Sequence, residues 1–318
     1  MNFWNDYNYS YITNRAGQTV QWHQGDNEET FAGLSPKFKT YGRNEISYTF
    51  NSLGFRSQEF DDSLPIKILY GGCSLTEGTG LPIEHTWAWF LNDIISEKIG
   101  QKIAHTSVGR GGASIDAIVR YTYVTIEHKH FHPDVVMLLL PSVMRSEHPI
   151  VDFGNLVWYD YIPNFGPDNL YPSQLEFFKH FSVITNPLQR FLDSFKGLLM
   201  LKWYLQAKGI KFFFGFWDTF QWVDPLKNEL TGILQMMEKD CPPEFKEHFF
   251  RGGFTFDLQK FYSGKPLIKK FPYNVARDGI HYGPNSHYSY ATYFFEEIER
   301  REAFQQLLSK WSTRKVGT

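Results

Sequence analysis

Short apolar runs alternate with amphipathic stretches along most of this chain. "IKILYGG" (66–72) is a compact apolar run ending in glycines, the pattern of a parallel strand buried on both faces. In "EHTWAWFLNDIISEKIG" (84–100), Trp87, Phe90, Leu91, Ile94 and Ile95 fall on one side of a helix that Gly100 closes. "QKIAHTSVG" (101–109) predicts a second strand, "ASIDAIVRYTYVTIEHK" (113–129) a second helix and "PDVVMLLLP" (133–141) a third strand. The segment 173–209 reads as helical on either side of Pro187, and "IKFFFGFW" (210–217) as a fourth strand. "SHYSYATYFFEEIERREAFQQLLSKW" (286–311) predicts one long amphipathic helix. Strands alternating with helices argue for an α/β protein, its mainly parallel sheet covered on both faces. Ligands of such sheets bind beyond the carboxyl ends of the strands, where Ser74, Gly112, Ser142 and Trp217 are expected.

Residues 1–60 differ. They are polar and aromatic, with short strand-like pieces such as "EISYTF", and predict an extended segment packed on a main domain of residues 61–318. An apolar fraction of 42% over 318 residues is ample for a core and excludes general disorder. Lys+Arg 32 against Asp+Glu 34 gives a net charge of -2 with no basic stretch, which argues against nucleic acid as a partner. Aromatic residues make up 18%, a surplus that suits either an aromatic core or stacking on sugars and protein partners. The start, "MNFWNDYNYSYITNR", lacks the basic-then-apolar order of a signal peptide, and no apolar run is long enough to span a bilayer. The expectation is a soluble protein made in the cytoplasm. Cys73 and Cys241 cannot form a disulfide framework, and Cys73 reads as a buried residue at a strand end.

"GGCSLTEGTG" (71–80) places a serine in a strand-to-helix turn. A phosphate loop would need a lysine after its last glycine, a dinucleotide loop needs G-x-G-x-x-G, and a hydrolase elbow G-x-S-x-G would need glycine where Thr76 stands. Ser74 is thus a nucleophile of another type or part of a tight turn. A serine nucleophile needs a base, and the base an orienting carboxylate. "VARDGIHYGPNSH" (275–287) offers both, because Asp278 and His281, three apart, can share one side of a turn. The alternative is that Asp278 caps a turn and His281 is a surface residue.

Three blocks in order, "GGCSLTEG", "SVGRGGAS" and "DGIHYGPNSH", resemble the GDSL/SGNH hydrolase superfamily over about residues 65–300, and the style of the chain resembles its phage-encoded members. The resemblance implies a three-layer α/β/α sandwich of flavodoxin-like form. It implies Ser74 as nucleophile, His281 as base and Asp278 as its orienting acid. Ser74 and Gly112 would line the oxyanion hole through their N–H groups, with Ser107 replacing the second block's asparagine. The third block departs: Pro141 and Val143 stand where the family has the glycine and asparagine of Gly-x-Asn-Asp. Ser142 or Arg145 are the candidate substitute donors; Arg145 would otherwise bind a charged substrate or pair with Glu147.

The expected activity is a serine ester hydrolase needing no cofactor, acting on a small-molecule or polysaccharide ester such as an O-acetylated carbohydrate. The alternative is a non-catalytic or weakly active structural or binding protein on the same fold, as a homo-oligomer or a virion component. "NSLGFR" (51–56) reads as a structural turn at Gly54, the alternative being that Arg56 folds back toward the site, and Trp217 and Asp218 end the fourth strand at the expected active-site edge. "HKHFH" (128–132) fits no metal-ligand spacing, so no metal is expected.

Overall fold

The computed structural model describes residues 15–36, 39–61, 63–128, 131–142, 145–152, 155–161, 187–217, 253–255 and 274–314. In chain order the elements are β1 (Thr19–Val20), α1 (Glu28–Gly33), β2 (Tyr48–Thr49), β3 (Lys67–Gly72) and α2 (Ser74–Glu77). Next come α3 (Trp87–Ile99), β4 (Ala104–Gly109), α4 (Ile115–His128) and β5 (Val135–Leu140). A hairpin of β6 (Ser146–Asp152) and β7 (Asn155–Tyr161) precedes α5 (Pro187–Ala207), β8 (Lys211–Phe216) and β9 (Gly253–Thr255). The chain closes on α6 (Pro284–Glu299) and α7 (Glu302–Thr313).

The main sheet runs in the order β4-β3-β5-β8-β9, every neighbouring pair parallel. Numbered among themselves, the strands have the order 2-1-3-4-5 of flavodoxin-like folds, whose switch point lies between the first and third strands. β3, β5 and β8 are almost entirely apolar because their alternate residues serve two cores, whereas the edge strand β4 carries His105, Thr106 and Ser107. Leu69, Val136, Leu138 and Phe214 pack with Ile118 and Tyr121 of α4 and Leu198 and Leu201 of α5. Ile68, Tyr70, Met137 and Phe213 pack with Leu91 and Ile95 of α3, Phe294 of α6 and Trp311 of α7. The result is the expected α/β/α sandwich.

The structure departs from the sequence expectations in two places. The terminal amphipathic segment forms two helices, α6 and α7, because Arg301 turns extended (φ -95, ψ 132) between them. One straight helix of this length would be ~45 Å long, against ~20 Å for a six-residue strand, and could not keep both halves on the sheet. The break lets Phe304, Leu307 and Trp311 fold back into the core. The β6–β7 hairpin, in register from Ser146↔Tyr161 to Asp152↔Asn155, has no counterpart among the sequence expectations. The helix expected over 173–186 lies outside the described residues. Within them, no helix is long and apolar enough to cross a membrane.

Residues 15–60 carry the small antiparallel pair β1–β2 and a third apolar cluster, in which Tyr41, Ile46, Tyr48 and Phe50 meet Leu81 and Ala276. At its base lies an ion pair with no exposed surface: Arg277 Nη2 to Asp26 Oδ2 at 2.6 Å and Nε to Oδ1 at 3.0 Å. Arg277 also donates to the carbonyls of Gln21 and Arg43, and its guanidinium stacks on Trp22. Tyr48 donates to the same Asp26 carboxylate and accepts the N–H of Gly80 at 2.8 Å. Removing one partner of a buried pair strands the other charge. Asp26→Ala is therefore expected to lower unfolding stability by about 3–5 kcal/mol, read as a lower urea midpoint at unchanged m-value.

Candidate active site

Ser74 begins α2 directly beyond β3, at the switch point of the sheet, and is 7% exposed. The turn is tight. The N–H groups of Thr76 and Glu77 both bond to Cys73 O at 2.9 Å, and Gly78 closes the helix with φ 76 and an N–H to Ser74 O at 2.8 Å. The indole N–H of Trp87 donates to Thr76 Oγ1 at 3.0 Å. The end of β4 presses on this turn so closely that a β-carbon at Gly109 would lie 2.6 Å from Glu77 N. Arg56, 2% exposed, donates to the carbonyls of Glu77, Gly78 and Leu81, a cation over the end of the short helix. Gly54 makes the expected turn at φ 83, and the arginine it returns fastens the serine turn from behind.

Asp278 and His281 come together as expected. The Asp278 carboxylate accepts the N–H of Ile280 at 3.1 Å and of His281 at 3.0 Å through one oxygen, and meets His281 Nδ1 with the other. It thus caps the turn and orients the imidazole at once. Burial alone would raise the Asp278 carboxyl; the hydrogen bond and charge of His281 and the two N–H groups outweigh it and hold it below the usual carboxylate range. With Nδ1 on the carboxylate, Nε2 is the ring nitrogen on the side away from Asp278, and the ring keeps 26% of its surface. This loop is bonded to the end of the serine turn, where Arg277 N–H donates to Gly80 O at 2.7 Å, and the helices that follow the two segments are joined by Trp87 N–H to His287 Nδ1 at 3.0 Å. Among the described residues no hydrogen bond joins the Ser74 hydroxyl to His281; such bonds commonly tighten only with substrate bound.

Gly112, with φ 78, sits in a turn closed by Ala113 N–H to Arg110 O at 3.1 Å. The neighbouring Gly111 N–H donates to Glu77 Oε2 at 2.6 Å, so one carboxylate ties the second block to the helix that carries Ser74. Glu77 is 1% exposed and faces His23 Nε2 at 3.2 Å and Arg15 Nη1 at 3.4 Å. Burial pushes its carboxyl up, but His23, Arg15 and the Gly111 N–H together hold it below the ordinary value. The sequence reading passed over Glu77. Its one signal was a glutamate between the serine and two glycines, because its partners Arg15 and His23 lie far upstream and Gly111 far downstream.

Arg145 does not pair with Glu147, which instead holds Arg110 and Arg120 at 3.3 and 2.6 Å. Its guanidinium lies 5.3 Å from the Trp217 ring centre, and the Trp217 N–H reaches Cys73 Sγ at 3.2 Å. Arg145 is therefore two contacts from the residue preceding Ser74. Its backbone N–H bonds to Ser142 O at 3.2 Å. Val143, Asp218, Cys241 and two residues of the 128–132 cluster lie outside the described residues. Among those described, no group of three His, Cys, Asp or Glu side chains is placed to hold a metal ion.

No protein-family model matches the chain, and no curated protein matches it. It is similar to several solved esterases. One is the psychrotrophic esterase EstA from Pseudoalteromonas sp., 13% identical over 74% of this chain and 97% of that one, with a TM-score of 0.40. Another is AlinE4, an SGNH-hydrolase family esterase, 13% identical over 77% and 95%, TM-score 0.37. A third is the acetyl xylan esterase Est2A from the rumen bacterium Butyrivibrio proteoclasticus, 13% identical over 78% and 65%, TM-score 0.37.

The histidine on α6 yields a test of the site's electrostatics. Burial, then the charges of His281 and His85, lower His287 from 6.5 to about 3, so it stays neutral while accepting the Trp87 N–H. Its folded value is depressed. The stability it contributes is complete above the unfolded value of 6.5 and is lost as pH falls toward 3, at about 1 kcal/mol per pH unit. Urea titrations between pH 7 and 4.5 should show this slope in the wild type and a shallower one in His287→Asn.

Proposed function

We propose that the chain is a serine ester hydrolase working by acyl transfer. The observation that carries this reading is the Asp278–His281 pair, whose imidazole presents Nε2 on a loop bonded to the turn that holds Ser74. In the proposed reaction, His281 Nε2 takes the Ser74 proton as Oγ attacks the ester carbonyl. The oxyanion forms toward the N–H groups of Ser74 and Gly112, in a setting fixed before substrate arrives. Collapse expels the alcohol, which receives the proton from His281, and leaves Ser74 acylated. Water, deprotonated by the same imidazole, then releases the acid. The substrate class, an O-acetylated carbohydrate, rests on the aromatic surplus of the chain alone.

A second reading is a binding or structural protein with little catalysis. It is favoured by the third block of the sequence, where Pro141 and Val143 replace the glycine and asparagine of Gly-x-Asn-Asp.

Ser74→Ala should lower kcat/KM for p-nitrophenyl acetate by roughly 10⁴-fold or more with melting unchanged, and a fluorophosphonate probe should label wild-type Ser74 but not the variant. A folded wild type that neither hydrolyses the ester nor takes the label would leave the second reading standing.

A further inference from the structure

Gln24 is the one described residue other than glycine with a left-handed backbone, at φ 54. It takes the first central position of a two-residue turn, in which His23 N–H bonds to Asp26 O at 2.9 Å and Asp26 N–H to His23 O at 3.2 Å. Such positions favour Gly, Asn or Asp, whereas glutamine adopts this conformation at a cost in stability. Strain of this kind persists only where the surroundings over-determine it, and it concentrates at functional sites. Here both flanks are clamped. His23 lies against Glu77 and Arg15, and Asp26 is locked by Arg277 and Tyr48.

The turn delivers the Gln24 carboxamide onto the second block. A β-carbon at Gly111 would lie 1.8 Å from Gln24 Oε1 and 2.7 Å from Nε2, so the amide group covers that glycine, one residue before Gly112. The side chain is exposed, and among the described residues its amide makes no hydrogen bond. A strained residue is thus holding an uncommitted donor at the rim of the loop that carries the proposed oxyanion N–H.

We propose that Gln24 contacts substrate: its carboxamide N–H supplies a side-chain hydrogen bond to the reacting ester, in place of the asparagine that the third block of this sequence does not carry. The proposal rests on the esterase reading. It makes the segment before residue 60 part of the active site.

The test separates chemistry from folding because the two predict opposite effects of one substitution. Gln24→Gly relieves the left-handed strain and removes the amide, so its melting temperature should match or exceed the wild type while kcat for p-nitrophenyl acetate falls about 10²-fold, the loss of one oxyanion donor. Gln24→Glu keeps the shape but not the N–H, and should show a comparable loss with KM within a few-fold. Fluorophosphonate labelling of Ser74 should slow in both, since the phosphonyl oxygen occupies the same position. A folded Gln24→Gly or Gln24→Glu enzyme with kcat within twofold of an active wild type overturns the assignment. A wild type that is inactive and unlabelled overturns the esterase reading itself, and the Gln24 role with it.

Discussion

The buried Asp26–Arg277 pair is the constraint from which the candidate site is built. Two charges without exposed surface are tolerable only when every polar atom has a partner, and Arg277 meets this with the carboxylate, three carbonyls and the face of Trp22. Arg277 is also the residue before Asp278, and its own N–H is bonded to Gly80 O. Residues 26, 80 and 277, far apart in sequence, are thereby held at one point. The orientation of the Asp278–His281 pair and the seating of the serine turn both follow from that point.

A second buried charge does the same for the other half of the site. Glu77 faces the Arg15 guanidinium, the His23 ring and a backbone N–H from the second block, so the helix of Ser74 and the loop of Gly112 cannot drift apart without stranding a carboxylate. Preorganised donors do their electrostatic work only if their positions are settled before charge develops. For the reaction proposed above, much of that settling comes from outside the parallel sheet, through the segment preceding β3. Close contact at Gly109 and the Arg56 fan of carbonyl bonds complete the brace.

Much of the architecture was legible in the amino-acid order. A strand buried on both faces must be apolar at every position, so β3, β5 and β8 were visible as runs. The helical period and the Gly100 cap marked α3 for the same local reasons. Asp278 and His281 were also legible as a pair, because three residues of spacing on a turn is a local property. The tertiary structure decided what depends on partners remote in sequence. The break at Arg301 arises because the sheet is shorter than one continuous helix, and no local pattern reports the size of the surface to be covered. Glu77 and Arg277 looked like ordinary charged residues until folding removed their water and supplied partners from other segments, and the carbonyls that Arg56 meets were equally out of sight. Gln24 adopts a conformation its own side chain disfavours, and only the clamps at His23 and Asp26 account for it. Local propensity and burial period are written along the chain, whereas the compensation of buried charge and backbone strain exists only between segments that folding brings together.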